Sequence, residues 1–66
     1  MTCPLTAQQK EIVHWLSLGK TGMEIEEIIG ISSRAIQRRI DRAYQATGAS
    51  TRYGLVALAL RKGWIE

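Results

Sequence analysis

A single cysteine cannot close an internal disulfide, and one histidine beside it cannot complete a closed zinc site. The chain also lacks any apolar run near the roughly 20 residues that cross a bilayer and any low-complexity tract. Its N-terminus lacks the basic-then-apolar pattern of a signal peptide, so the cytoplasm is the expected location. With 66 residues there is room for one domain, which excludes a two-domain enzyme, a barrel or a doubly wound sheet. A core this small usually leaves a narrow stability margin when no staple is present. Tight helix packing or self-association has to supply what disulfide and zinc do not.

The residues that are present suit a folded intracellular chain, 45% apolar and 23% charged. Their charge is unevenly spread. Residues 1–30 carry Lys10 and Lys20 against Glu11, Glu24, Glu26 and Glu27, a balance of −2. Residues 31–62 carry Arg34, Arg38, Arg39, Arg42, Arg52, Arg61 and Lys62 against Asp41, a balance of +6. A net charge of +3 thus hides a basic second half that is rich in arginine. Arginine suits phosphate and base-edge recognition, and the same count also fits a solvated helix face.

No stretch alternates with period two, while the 3.6-residue period recurs, so the fold class is all-α. Thr6 with Gln9 forms a capping box that opens a first helix to about Leu18, stopped by Gly19. Its buried side is Ile12, Val13, Trp15 and Leu16. Thr21 with Glu24 opens a short second helix to about Ile29, with Ile25, Ile28 and Ile29 inward and Gly30 as its stop. Ser32 caps a third helix to about Thr47, stopped by Gly48, and Ser50 caps a fourth to about Lys62, stopped by Gly63.

The few residues around Gly30-Ile31-Ser32 give the spacing of a helix-turn-helix, whose second helix enters the DNA major groove. At about 100° per residue, Ile36, Ile40, Ala43 and Thr47 share one side of the third helix. Arg34, Gln37, Arg38, Asp41 and Gln45 share the other, flanked by Arg42 and Tyr44, with Arg39 nearer the apolar edge. Any surface helix opposes a polar face to a core stripe, but this one carries Arg and Gln, which read guanine and adenine edges. The fourth helix is apolar nearly all round, through Leu55, Val56, Ala57, Leu58, Ala59 and Leu60. That points to a partner helix, the alternative being a terminal helix sunk in a small core. Gly54 costs about 1 kcal/mol in a helix interior relative to Ala, and close helix approach would justify it.

Leu5-Thr6, Lys10-Glu11, Trp15, Gly19-Lys20-Thr21, Glu24-Ile25, Gly30-Ile31-Ser32, Ile36, Ser50, Arg52, Val56, Ala59 and Gly63 recur here without gaps at the spacing of a known family. The chain resembles the LuxR-type (GerE-like) helix-turn-helix domain from Leu5 to Ile65, so residues 1–66 are expected to be one such domain with its core pattern in 5–65. The resemblance implies four helices, the third reading DNA and the fourth dimerising, in regulators that bind inverted repeats as dimers. Carried over by position, Gln37, Arg38 and Asp41 face bases, while Lys20, Thr21 and Arg42 occupy or adjoin phosphate contacts. The dimer contacts expected on the fourth helix are Gly54, Leu55, Leu58, Ala59 and Lys62.

The chain departs from the family pattern at Gln8-Gln9, Glu26, Ala35, Arg39 and Ala46-Thr47. Glu26 and Arg39 fall where the two motif helices meet, which suggests an ion pair between them. Asp41 repels phosphate; it either accepts from a cytosine amino group or is a solvated residue that lowers affinity.

Other signals carry less. Gly19-Lys20-Thr21 resembles the end of a phosphate-binding loop, but that motif needs a glycine where His14 stands and a preceding strand where a helix is expected. Glu11 and His14 lie one turn apart without a nucleophile or a third group, so neither is expected to be catalytic. Trp15 and Trp64 are expected in packing, and Cys3 is incidental. No enzyme activity, metal or cofactor is expected.

The expected function is sequence-specific binding of double-stranded DNA, expected to be an inverted repeat, by a homodimer that controls transcription. Arg38 and Gln37 lead the base readout, with Arg34 and Gln45 peripheral on the same face and Gln45 toward the phosphates. Lys20, Thr21 and Arg42 set register on the backbone, and Arg52, Arg61 and Lys62 add to the field. A rival is an interaction module whose fourth helix pairs with that of a larger relative. The chain also fits the C-terminal output domain of a longer regulator.

Overall fold

The computed structural model describes residues 3–66, so residues 1 and 2 of the expected domain lie outside the described residues. Four helices follow one another, α1 (Ala7–Ser17), α2 (Gly22–Ile29), α3 (Ser33–Thr47) and α4 (Arg52–Lys62). Their starts are set locally. Thr6 Oγ1 accepts from the Gln9 N–H at 3.1 Å, and Gln9 Oε1 accepts from the Thr6 N–H at 2.7 Å. Thr21 and Glu24 repeat this box at 3.2 and 3.0 Å, and Ser32 Oγ accepts from the Ala35 N–H at 3.1 Å. Each bond satisfies an N–H that the first helical turn leaves without a partner.

The fourth start differs from expectation by one residue. Thr51, not Ser50, is the cap: its Oγ1 accepts from the Gly54 N–H at 3.0 Å, and its extended backbone (φ −136°, ψ 160°) is that of a cap. Gly54 belongs to the same cap. Among the described residues the only neighbour a Cβ there would crowd is Thr51 Oγ1, at 3.1 Å. Within this chain Gly54 makes room for its own helix cap.

The turn between α2 and α3 depends on Gly30. Its φ of 77° lies in the left-handed region, which costs a side-chain-bearing residue, and its N–H reaches the Glu26 carbonyl at 2.9 Å. Ser32 caps the next helix two residues later. α3 packs against all three other helices, and α1 also packs against α4. The core between them is Leu5, Ile12, Val13, Ile25, Ile36, Ile40, Ala43, Leu55, Ala59 and Ile65. Trp15, Leu16, Ile29, Ile31, Val56 and Trp64 are half-buried around it. The two tryptophans therefore pack, as the sequence suggests, and the His14 ring stands edge-on to Trp15 at 5.1 Å.

Ile28 is not inward: it is 44% exposed. Ile25 and Ile29 bracket the core direction, and Ile28 lies about 60° from Ile25 on the far side from Ile29. The apolar girdle of α4 also divides. Leu55 and Ala59 are 0% exposed, Val56 and Leu58 are half-buried, and Ala57 and Leu60 are exposed. One stripe is in the core and the other faces solvent.

Candidate nucleic-acid interface

Because Ile36, Ile40 and Ala43 turn α3 inward, Arg34, Gln37, Arg38, Asp41, Arg42 and Gln45 are all exposed on its outer side. The side chains expected to read bases and to meet phosphates on this helix therefore share one accessible face. Two of them are joined. Gln37 Nε2 donates to Asp41 Oδ1 at 2.9 Å, one turn along the helix. The same amide is also held from α4, where Arg52 Nη2 donates to Gln37 Oε1 at 3.2 Å.

Arg52 extends this face to the turn before α2. It lines an open groove of about 440 Å³ together with Lys20, Thr21 and Tyr53, over apolar Leu16 and Val56. Lys20 and Thr21 thus lie in one groove with Arg52, and Arg52 bonds to the outer side of α3. From sequence alone Arg52 is expected only to add to the field. Its two neighbours come from a different helix and a distant turn, and no spacing in the sequence pairs them.

Thr21 is engaged first by its own cap. The Thr21 backbone N–H, its hydroxyl and the nearby charge of Lys20 hold the Glu24 carboxyl below its ordinary value. What this corner presents to an anion is Lys20 beside the N-terminus of α2, where the helix dipole is positive.

The expected ion pair between Glu26 and Arg39 is not formed. Glu26 Oε2 accepts from the Ser33 N–H at 3.2 Å, placing an acid at the positive end of α3. Arg39 is half-buried and turns to α1, donating from Nε to Gln8 Oε1, and from Nη1 to the Ala35 carbonyl at 3.3 Å. Each charge has a backbone or amide partner nearer than the other charge. Both residues fix how α3 sits: Glu26 ties its start to α2, and Arg39 ties its flank to α1. Gln8 stands out in the sequence only as a departure from the family pattern, and its positioning role is not legible there because its partner lies 31 residues away.

The residues expected at a dimer contact separate into two groups. Leu55 and Ala59 are closed inside the chain's own core and have no surface to offer a partner. Gly54 and Lys62 are exposed and Leu58 is half-buried, four residues apart along one outer stripe of α4. Among the described residues no group of His, Cys, Asp and Glu side chains could hold a metal ion. Among the same residues no helix is long and apolar enough to cross a membrane.

No family model matches the chain. Curated proteins do. It is 39% identical over 57 residues to the transcriptional activator protein BjaR1 of Bradyrhizobium diazoefficiens, a match covering 86% of this chain and 24% of that protein. The HTH-type quorum sensing-dependent transcriptional regulator RpaR of Rhodopseudomonas palustris is 36% identical over 62 residues, covering 94% and 26%. The transcriptional activator protein AhyR of Aeromonas hydrophila is 34% identical over 59 residues, covering 89% and 23%. The chain spans about a quarter of the length of the curated relatives it matches.

Proposed function

The chain belongs to the LuxR-type helix-turn-helix domains, and from that premise we propose that it binds double-stranded DNA in the control of transcription. The observation that carries the reading is the outer side of α3, where Arg34, Gln37, Arg38 and Arg42 are exposed together beside the Lys20–Arg52 groove. In this account α3 lies in the major groove. Arg38 and Gln37 read base edges, with Arg34 at the margin, because guanidinium and amide groups match guanine and adenine. Lys20, Thr21, Arg42 and Gln45 meet phosphates, Lys20 and Thr21 at the positive end of the α2 dipole. Asp41 acts through Gln37 rather than on phosphate.

Two copies would pair through the outer stripe of α4, Gly54, Leu58 and Lys62, and so address an inverted repeat. Leu60, 48% exposed, lies two residues on from Leu58 and so on another side of α4, away from that stripe. A cytoplasmic location accords with this role.

The test is selection from a random duplex pool. An enriched inverted repeat is expected, with binding that falls steeply as salt rises because counterions are released from the duplex. Failure to enrich any motif would overturn the reading and favour an interaction module that pairs with a larger regulator through α4.

A further inference from the structure

Gln37 is chemically locked in one orientation, and this has a consequence for which base it reads. Its Oε1 faces the Arg52 guanidinium at 3.2 Å, and its Nε2 faces the Asp41 carboxylate at 2.9 Å. Arginine only donates and an ionised carboxylate only accepts. Turning the amide over would set oxygen against carboxylate and NH2 against guanidinium, breaking both bonds at once. A glutamine without such neighbours can present its oxygen and its nitrogen in either order.

An amide oxygen has two lone pairs and an amide nitrogen has two hydrogens. Arg52 takes one of the former and Asp41 one of the latter. What is left on this exposed side chain of α3 is one acceptor on the oxygen and one donor on the nitrogen, with the order of the two atoms set by their partners. Adenine presents the complementary pair in the major groove, an N6 donor beside an N7 acceptor. We infer that Arg52 and Asp41 are positioning residues that hold Gln37 as an adenine reader, so that a residue on α4 sets the base preference of a residue on α3. The inference rests on the DNA-binding reading above.

Arg52 and Asp41 carry opposite charges, and this separates positioning from simple attraction to phosphate. Loss of Arg52 should weaken binding to every duplex, and loss of Asp41 should strengthen it. Both should nevertheless relax the same base pair. Gln37, Asp41 and Arg52 are all exposed, so the variants should fold.

The experiment uses the full chain and the duplex enriched from a random pool, with the base pair that Gln37→Ala relaxes changed to each of the other three. The wild type is expected to prefer adenine there by about tenfold. Arg52→Ala and Asp41→Ala should each abolish that preference, and neither should lower it further in the Gln37→Ala background. Arg52→Lys, which keeps a cationic donor, should restore part of it. Preference left intact in Arg52→Ala, with affinity lowered equally on all four duplexes, would overturn the inference while leaving DNA binding in place. A preference for a base other than adenine would overturn it as well. If the wild type enriches no motif, the DNA-binding reading itself falls and takes the inference with it.

Discussion

On the inner side of α3, Ile36, Ile40 and Ala43 are each 1% exposed and packed by the other helices. On the outer side, Arg34, Arg38 and Arg42 are exposed, and so is Gln37, which makes side-chain hydrogen bonds with Asp41 and Arg52. The same helix therefore holds its position with one face and leaves the other open to solvent. Changes on the two faces should be felt in different measurements. The neighbours Arg38 and Arg39 make the point within two residues: Arg38 is exposed, whereas Arg39 is half-buried and bonded to Gln8.

Ile40→Ala should have the largest effect, destabilising the fold by about 2–5 kcal/mol because it empties a filled part of the core. Thermal or denaturant unfolding reads this directly. Arg38→Ala should leave unfolding within about 0.5 kcal/mol of wild type but cost about 1–3 kcal/mol on an enriched duplex. Loss confined to one base pair marks base readout; uniform loss across sequences would make Arg38 a phosphate ligand. If Arg38→Ala instead unfolds the protein, the division between the faces is wrong.

The start of α4 gives a smaller and sharper contrast. Thr51→Ala should cost about 1 kcal/mol as a lost cap, whereas Ser50→Ala should be close to neutral. Equal losses in the two variants would remove the distinction between them.

The smallest effect is one of pH at the α2 cap. The Glu24 carboxyl is held below its ordinary value mainly by the Thr21 backbone N–H. Its contribution to stability is therefore complete above the unfolded value and fades as pH falls through the lower folded one. Glu24→Gln keeps a capping box that does not titrate. The part of acid destabilisation that this variant removes measures the bond, and an unchanged acid profile would show that the bond adds nothing.

What could be read from the sequence follows the same division between near and distant partners. The two capping boxes, the Ser32 cap and the Gly30 stop each involve residues within four positions, so spacing alone reveals them. The inward stripe of α3 follows from helical periodicity, and so does the exposure of its outer face. The contacts that orient α3 were not legible. Arg39 with Gln8, Glu26 with Ser33 and Arg52 with Gln37 join different helices at separations of 31, 7 and 15 residues. Nothing in a charge count selects those partners over others of the same type, which is why Glu26 and Arg39 looked like a pair. That Leu55 and Ala59, expected at a dimer contact, lie in the core was hidden for a related reason. A helix that is apolar on several sides does not reveal from its pattern which stripe meets the core.

The most direct test of the outer face of α3 as the DNA-reading surface is to map backbone amide NMR shifts on addition of the enriched duplex. The account predicts that the largest changes fall on Arg34 to Gln45, on Lys20 and Thr21, and on Arg52. Changes confined to the outer stripe of α4, with the amides of α3 unmoved, would contradict it.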